Sequence, residues 1–454
     1  MVTTGIYCRP GCNAKPLAEN VRTFELAAAA EAAGFRACLR CRPYRVAGPI
    51  GADASELVCR AVQLVIDGAL DDGSEAVLAR RLGVSSRHLR RLFNDHLGVT
   101  PDQLARSRRA HFARRLLDDS ELTVTDVAFA SGFGSLRQFN RAVREVFRAS
   151  PGELRSRRRR ADRLVADGGL TMRLPFQSPF DWDSVIAFLA DRAVPGVESV
   201  EDGIYRRTIS LDGAAGVLEV HRGSEDHLLF RAHLPYWEGL IHVVERVGRM
   251  VGLDVDIGPA VARLAEDPMI GSLVRARPGI RVPGAWGPLE VAIHAIVAQH
   301  CTLARAAERM GALVRNFGQP VPGLAHGLTH LFPSADVLAG ADLAAIDLPR
   351  TTAHAVQALA AAVATGHVVL DGSLGLADLV ASLTEIPGIE ASAAHQVALR
   401  LGQRDAFPES DPSVQWALRS LDCPTPAEEI ASRWRPWRAV VATHLVAYAA
   451  AARI

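Results

Sequence analysis

Two cysteine-rich stretches, YCRPGC at residues 7–12 and CLRC at residues 38–41, organise the start of this chain. They contain two close cysteine pairs, Cys8 with Cys12 and Cys38 with Cys41. Two such pairs can converge on one tetrahedral zinc ion with Zn–S bonds of about 2.3 Å. Two disulfides are the alternative, but no apolar signal segment precedes the first pair and the three other cysteines are scattered. We therefore predict one Zn²⁺, structural and activating, in a protein of the reducing cytoplasm.

Residues 3–12 (TTGIYCRPGC) and 33–43 (AGFRACLRCRP) resemble the N-terminal module of the bacterial adaptive-response (Ada) regulator. In that family zinc holds a sacrificial thiolate that accepts a methyl group from a DNA methylphosphotriester. The resemblance assigns the acceptor role to Cys8 and ligand roles to all four cysteines. Zinc keeps sulfur deprotonated, and the thiolate is the nucleophile. Methylation removes one negative charge from the centre, so we expect it to raise the affinity for DNA.

The start of this module is short, because seven residues precede Cys8 where family members carry a longer segment. Either the true start lies upstream or the module lacks part of its sheet. A zinc-stabilised regulator without methyl transfer is the corresponding alternative.

Charge is unevenly distributed along the 454 residues, although the net charge is only +1. Residues 1–165 hold 28 Arg and Lys against 18 Asp and Glu, whereas residues 166–454 hold 23 against 32. The front of the chain should therefore attract polyanions. Lys15 is the only lysine, which excludes Schiff-base chemistry on any other lysine side chain. No apolar run approaches the roughly 18 residues that suggest a membrane span.

A helix-turn-helix pattern occurs at residues 75–93 and recurs at residues 124–141. In each copy a short helix, a glycine turn and a serine cap precede an amphipathic helix. Leu89, Leu92 and Phe93 form the predicted buried face of the first copy, and Phe139, Val143 and Phe147 that of the second. The side chains predicted to face outward and contact DNA are Arg87, Arg90, Arg91, Arg137, Gln138 and Arg141, and Arg144 is also predicted to face outward.

The two copies, closed by FRASPGEL at residues 147–154, resemble the AraC-type DNA-binding domain. The resemblance implies that each outward helix enters a major groove and that the pair reads neighbouring half-sites. Arginine to guanine is the commonest specific contact, although any single arginine could merely solvate the surface. The run of residues 155–160 could touch phosphate or serve as a solvated linker.

The remaining sequence begins with alternating, strand-like stretches and becomes helical after about residue 278. Four of its motifs resemble 3-methyladenine DNA glycosylase II of the helix-hairpin-helix superfamily. These motifs are PFDW at 179–182, RPGIRVPG at 277–284, IPGI at 386–389 and RWRPWR at 433–438. The resemblance implies excision of alkylated bases by hydrolysis.

The resemblance assigns a DNA-binding role to the hairpin and a catalytic role to one carboxylate. Pro387, Gly388 and Ile389 form the turn whose backbone N–H groups would hold a DNA phosphate, and Pro387 itself contributes no donor. Asp411 matches the family's catalytic aspartate, which stabilises the positive charge on the sugar or positions a water. It could equally serve as an ordinary helix cap before Pro412, and the two roles are compatible.

Several key positions depart from the glycosylase family. Glu390 replaces the second hairpin glycine, and its charge would repel phosphate. His300 stands where a bulky apolar wedge normally fills the gap left by a flipped base. The aromatic residues of the family's base pocket are replaced by Ser392, Gln396 and Val446. Trp434 and Trp437 remain, and we expect them to be structural rather than pocket-lining.

The prediction is a multidomain protein with a small zinc-binding α+β module, an all-α tandem helix-turn-helix domain and an α+β glycosylase-like part. That last part should comprise a mixed β-rich subdomain and a helical helix-hairpin-helix bundle. The predicted limits are 1–48, 53–160, a linker at 161–170, 171–281 and 282–454. The expected partners are double-stranded DNA and RNA polymerase, and no membrane association is expected. The protein is predicted to be a monomer in the cytoplasm, associated with the nucleoid. The alternative is a transcription regulator whose glycosylase-like tail is inactive and only binds DNA or a partner.

Overall fold

The structure is a computed structural model that describes residues 1–9, 12, 14, 16–45, 55–71, 73–158, 164, 168–423 and 426–452. It forms two compact units, the first made of residues 1–177, 223–248 and 254–256, the second of 178–222, 249–253 and 257–454. The predicted boundary between 48 and 53, most of the linker 161–170 and the end of the arginine run 155–160 lie outside the described residues.

Besides two short 3₁₀ helices, the described part of residues 1–158 contains eight α-helices and two short strands. They are β1 (Ile6–Tyr7), α1 (Ala27–Ala32), β2 (Arg36–Ala37), α2 (Glu56–Ile66), α3 (Glu75–Arg81), α4 (Ser86–Leu97), α5 (Pro101–Asp119), α6 (Val124–Ala130), α7 (Leu136–Phe147) and α8 (Pro151–Ser156). Strands β1 and β2 pair in parallel, with Tyr7 opposite Ala37.

Side-chain caps fix where the helices of the tandem domain begin. Ser85 accepts a hydrogen bond from the His88 amide ahead of α4, and Ser135 accepts one from the Gln138 amide ahead of α7. Such caps satisfy backbone donors that the first helical turn leaves unpaired. The predicted stripes are buried in both copies, except that Leu92 is half-buried. The tandem arrangement is therefore α3–α4 and α6–α7, joined by the long helix α5.

The next part of the chain alternates between strands and helices. Its elements are β3 (Leu170–Pro175), α9 (Trp182–Ala190), β4 (Glu198–Glu201), β5 (Ile204–Leu211), β6 (Ala214–Arg222), β7 (His227–His233), α10 (Leu240–Met250), α11 (Gly258–Leu264) and α12 (Gly271–Ala276). In the first unit β3 pairs with β7 in antiparallel fashion, and in the second unit β4, β5 and β6 form an antiparallel meander.

The segment around the start of α10 contacts the tandem domain within the first unit. The Gly239 amide donates to the Phe129 carbonyl at 3.2 Å. Nε2 of His242 lies 2.5 Å from Oδ2 of Asp71, and an Arg108 guanidinium nitrogen lies 2.6 Å from Oε1 of Glu245. Residues of the β-rich part therefore pack directly on the helix-turn-helix domain.

The rest of the second unit is a helical bundle with a small hairpin. Its elements are α13 (Pro288–Ala298), α14 (Leu303–Phe317), β8 (Gln319–Pro320), β9 (His330–Leu331), α15 (Ala335–Ala339), α16 (Arg350–Ala364), α17 (Leu376–Thr384), α18 (Ala391–Arg400), α19 (Pro412–Ser420), α20 (Ala427–Ala431) and α21 (Arg438–Ala451). The buried Arg207 guanidinium lies 2.8 Å from a carboxylate oxygen of Glu290 and joins β5 to α13. The predicted fold class is confirmed.

Among the described residues, no helix is both long and apolar enough to cross a membrane.

Candidate metal centre and nucleic-acid interface

Four cysteine sulfurs converge at the end of the small parallel sheet. Cys8 follows β1 and Cys38 follows β2, so the pairing of these strands brings the two thiols together. The turn from Cys38 to Cys41, closed by a 3.0 Å hydrogen bond from the Arg42 amide to the Cys38 carbonyl, adds a third thiol. With Cys12, all four sulfurs lie within 4.8 Å of one another.

This arrangement fits a zinc ion. Sulfurs at tetrahedral corners about 2.3 Å from a metal stand about 3.8 Å apart, which is within the observed limit. Burial raises the pKa of Cys8 above its ordinary value and that of Cys41 to about 11. Burial also acts to raise the pKa of Cys38, but backbone amide donors at Cys41 and Arg40 outweigh it and lower that pKa. A cation would favour the thiolate forms of Cys8 and Cys41, and the cluster is a site for one Zn²⁺.

The second helix of each helix-turn-helix unit presents its predicted polar side chains to solvent. Arg87, Arg90 and Arg91 are exposed on α4, and Arg137, Gln138 and Arg141 are exposed on α7. Two of these arginines have acidic neighbours: Arg90 pairs with Glu75, and Nε of Arg141 lies 2.8 Å from Glu145. Among the residues that the structure describes, Arg87, Arg91 and Arg137 have no ion-pair partner, and Nη2 of Arg91 lies 2.9 Å from Nδ1 of His88.

Two further arginines of the second helix-turn-helix copy belong with this surface. A shallow depression along α7 is lined by Arg137, Asn140, Arg141, Arg144, Glu145 and Arg148. Arg144 was predicted to face outward, whereas Arg148 was not singled out from the sequence. It follows the end of α7 in the left-handed region at φ 54°, which turns the chain there. Its position directly after the amphipathic helix is the feature of the sequence that could have indicated a place on this surface.

The helix-hairpin-helix turn lies between α17 and α18. Gly388 has φ +91°, and a Cβ atom there would lie 3.1 Å from the Ala355 side chain, so the turn requires glycine. The side chain of Gln299 braces the turn, because its Nε2 donates to the Gly388 carbonyl at 3.0 Å and its Oε1 accepts from the Glu390 amide at 2.8 Å.

Glu390 and His300, the two unusual residues of this region, lie side by side. Nε2 of His300 is 3.3 Å from Oε1 of Glu390, and both side chains are more than half exposed. A protonated His300 would offset the charge that Glu390 places at the hairpin. The sequence identified both positions but did not indicate that they pair.

Asp411 caps α19 and also contacts the pocket position Gln396. Its Oδ1 accepts hydrogen bonds from the Ser413 and Val414 amides at 2.8 and 3.2 Å, and its Oδ2 accepts from Nε2 of Gln396 at 2.8 Å. Burial lowers the pKa of Arg192 while the negative charge of Asp411 acts to raise it, so this arginine lies within electrostatic range of the carboxylate.

The other positions of the predicted pocket are distributed over two helices. Ser392 lies one turn before Gln396 on α18, and half-buried Val446 lies on α21. Trp434 and Trp437 are buried, and Nε1 of Trp434 donates to Asp267 at 3.1 Å. Their structural role is therefore consistent with the sequence prediction.

Three family models match successive parts of the chain. They describe the metal binding domain of Ada at residues 1–44, a helix-turn-helix domain at 78–157 and the AlkA N-terminal domain at 171–287.

Individual proteins match over longer ranges. The probable bifunctional transcriptional activator/DNA repair enzyme AlkA of Mycobacterium tuberculosis is 37% identical over 453 residues, covering 98% of this chain and 91% of that protein. DNA-3-methyladenine glycosylase 2 of Escherichia coli is 30% identical over 280 residues, covering 60% of this chain and 95% of that protein. The solved 3-methyladenine DNA-glycosylase of Archaeoglobus fulgidus shares the fold, with a TM-score of 0.54 at 21% identity over 61% of this chain and 98% of its own.

Proposed function

This chain belongs to the family of bifunctional transcriptional activator/DNA repair enzymes, and from this premise we propose that it both senses and repairs alkylated DNA. The observation that carries the proposal is the convergence of four cysteine sulfurs within 4.8 Å in a module that precedes a tandem DNA-reading domain. We propose the domain limits 1–48, 53–160, 171–281 and 282–454, with a linker at 161–170. Matches at 1–44, 78–157 and 171–287 support the first three domains, and the last match extends past residue 281.

We propose that Cys8 is the methyl acceptor and that Cys8, Cys12, Cys38 and Cys41 hold the zinc ion. The bound ion would supply the positive charge that keeps these sulfurs nucleophilic. The Cys8 sulfur forms a bond to the methyl carbon while the methyl–oxygen bond of the phosphotriester breaks, and the electron pair stays on the phosphate oxygen. The cluster thereby loses one negative charge near the DNA backbone, which strengthens binding.

The polar faces of α4 and α7 are the proposed DNA-reading surface. Arg87, Arg90 and Arg91 would contact one major groove, and Arg137, Gln138 and Arg141 the next. Among the residues described, the absence of an ion-pair partner at Arg87, Arg91 and Arg137 favours these three for base contacts. We further propose that the DNA-bound monomer recruits RNA polymerase and is nucleoid-associated in the cytoplasm.

The helical bundle of the second unit is the proposed site of base excision. Pro387, Gly388 and Ile389 would place the hairpin against a phosphate, and His300 would occupy the gap left by the flipped base. The bond between C1′ and the base nitrogen breaks, the base leaves with the electron pair, and water adds to C1′. Asp411 would stabilise the positive charge on the sugar, and simple hydrolysis follows because the only lysine is Lys15.

Mass spectrometry after incubation with methylphosphotriester DNA tests the acceptor. One methyl group on Cys8 is expected, none in Cys8→Ala, and an unaltered yield in Cys301→Ser, whose thiol lies outside the cluster. An unmodified Cys8 in the zinc-loaded wild type contradicts methyl transfer.

Base release from methylated duplex DNA tests the excision site. Asp411→Asn keeps an oxygen that accepts from the Ser413 and Val414 amides but removes the charge, so release should fall by about 10²- to 10³-fold. Asp422→Asn is the matched control, because Asp422 is exposed at φ 51°, a conformation that asparagine tolerates. No release by the wild type would favour a tail that only binds.

A further inference from the structure

The two cysteine pairs are each attached to the same helix of the DNA-reading domain. The first attachment begins at Tyr7, which directly precedes the proposed acceptor Cys8. Its hydroxyl donates to Oε1 of Glu31 at 2.7 Å, and Nε2 of His111 on α5 lies 2.5 Å from the same oxygen. The Glu31 side chain is 9% exposed and that of His111 is 15% exposed, so water competes little for these bonds.

The second attachment begins directly after the other cysteine pair. Nη1 of Arg42, the residue that follows Cys41, lies 3.7 Å from Oδ2 of Asp118 near the end of α5. The Tyr44 hydroxyl donates to the same oxygen at 3.1 Å, and an Arg114 guanidinium nitrogen lies 2.9 Å from the other one. Asp118 is fully buried, and replacement of either partner would leave a desolvated charge.

The two attachments lie on one face of α5 and lead to the second recognition helix. His111, Arg114 and Asp118 are separated by three and four residues, the spacing of neighbours along a helix face. The ring centroids of His111 and Tyr44 lie 5.5 and 5.8 Å from the ring centroid of Phe147, the last residue of α7. Arg114 also donates to the Leu154 carbonyl at 3.0 Å, which extends the contact to α8.

We propose that this double attachment to α5 transmits the state of the metal-bound sulfurs to the DNA-reading helices, with Glu31 and Tyr44 as positioning residues. This inference rests on the proposed function of Cys8. A methylated sulfur is a weaker and bulkier ligand, so the end of β1 and the 38–42 turn must shift when Cys8 reacts. Buried hydrogen bonds of fixed geometry carry that shift to α5 and, through Phe147, to α7. Loss of charge repulsion alone would act without these contacts, and the two effects are separable.

Conservative substitutions in the full-length, zinc-loaded protein test the proposal. Tyr7→Phe and Tyr44→Phe each remove one hydroxyl, and Glu31→Gln removes the shared carboxylate charge. Glu25→Gln is the matched control, because Glu25 lies on the same module and is exposed. Zinc content and methylation of Cys8 should equal those of the wild type in all four variants.

The first readout is the ratio of affinities of the methylated and unmethylated protein for a random-sequence duplex, measured across a salt series. The salt-independent part of the wild-type ratio should fall by about fivefold or more in the three test variants and remain unchanged in the control. Wild-type ratios in all three test variants would overturn the proposal.

The second readout does not require methyl transfer. Hydrogen exchange of α5 and α7 is followed while zinc is removed with a chelator. In the wild type the amides of residues 110–119 should lose protection, whereas in Glu31→Gln most of this response should already be absent. An equal response in wild type and variant, or none in the wild type, would overturn the proposal. Wild-type protein that is never methylated would contradict only the acceptor role of Cys8.

Discussion

The zinc centre and the excision site differ in how their reactive groups are held. At the zinc centre four identical side chains converge, and the two members of each pair lie within five residues of sequence. At the excision site a single carboxylate, Asp411, is held by two backbone amides and one glutamine. The hairpin ahead of α18 is braced by Gln299, the residue that follows α13. The first site is defined by its ligands, whereas the second depends on what surrounds one residue.

This difference explains why the two sites tolerate change differently. A zinc site that loses one of four thiolates loses much of its affinity, since all four ligands share one ion. An excision site can change its lining while the carboxylate persists, because Asp411 also caps α19 and that role does not depend on the lining of the pocket. Three experiments test the contrast.

The largest effect is expected when a zinc ligand is removed. Cys12→Ser should lower the zinc content from one ion per chain to none and unfold the 1–45 module, because structural zinc contributes about 10 kcal/mol or more to such folds. Cys301→Ser is the control, since Cys301 hydrogen-bonds to the Val297 carbonyl and lies outside the cluster. Zinc content by elemental analysis is the measurement, and a variant that retains a full equivalent of zinc would break the contrast.

The second unit should be destabilised by mild acid through His294. Burial, with Arg192 and Arg400 nearby, lowers the pKa of His294 to about 3, and its buried Nε2 has no hydrogen-bond partner among the described residues. Below pH 6.5 His294 binds a proton in the unfolded chain but stays neutral in the folded chain until the pH approaches 3. The free energy of unfolding therefore falls as the pH falls. The loss should reach about 4 kcal/mol between pH 6.5 and pH 3.

Urea unfolding at a series of pH values measures this loss. His294→Leu should flatten the dependence between pH 6.5 and pH 4, whereas His300→Gln should not, because the side chain of His300 is 66% exposed. An unchanged slope in His294→Leu would assign the acid sensitivity to other groups, such as His444, whose pKa burial lowers to about 4.

The smallest effect is expected at the hairpin. Glu390→Gln removes a negative charge near the proposed phosphate contact, so DNA affinity should rise by about twofold to fivefold at low salt and less at high salt. Glu385→Gln is the control at the other end of the same turn, where the carboxylate is also exposed. Fluorescence anisotropy with duplex DNA is the measurement. Equal gains in both variants would show that the charge acts at long range rather than at the turn.

Local patterns in the sequence were sufficient to predict the zinc cluster and the tandem domain. The four cysteines, the serine caps and the stripe of Phe139, Val143 and Phe147 all follow short-range rules of spacing. The cap that Asp411 forms before Pro412 also follows such a rule, whereas its catalytic role rests on the resemblance to the glycosylase family and stays a prediction.

Contacts between distant residues could not be predicted in this way. Glu31 and His111 are 80 residues apart, and Arg207 and Glu290 are 83 apart. Charged residues of these types are common and usually solvated, so nothing in their neighbourhood indicates burial. The pairing of His300 with Glu390 likewise depends on how α13 packs on α18.

The contacts of Gly239, His242 and Glu245 with the tandem domain have a consequence for how this protein can be divided. A truncation after residue 158 would remove Glu245 from Arg108 and His242 from Asp71, which would keep Arg109, and the Phe129 carbonyl would lose the Gly239 amide. Residues 223–248 that supply these partners are followed and preceded by chain that folds into the second unit. No single cut can therefore free an intact sensor from the repair enzyme, and an evolutionary exchange of the two halves would have to rebuild this surface.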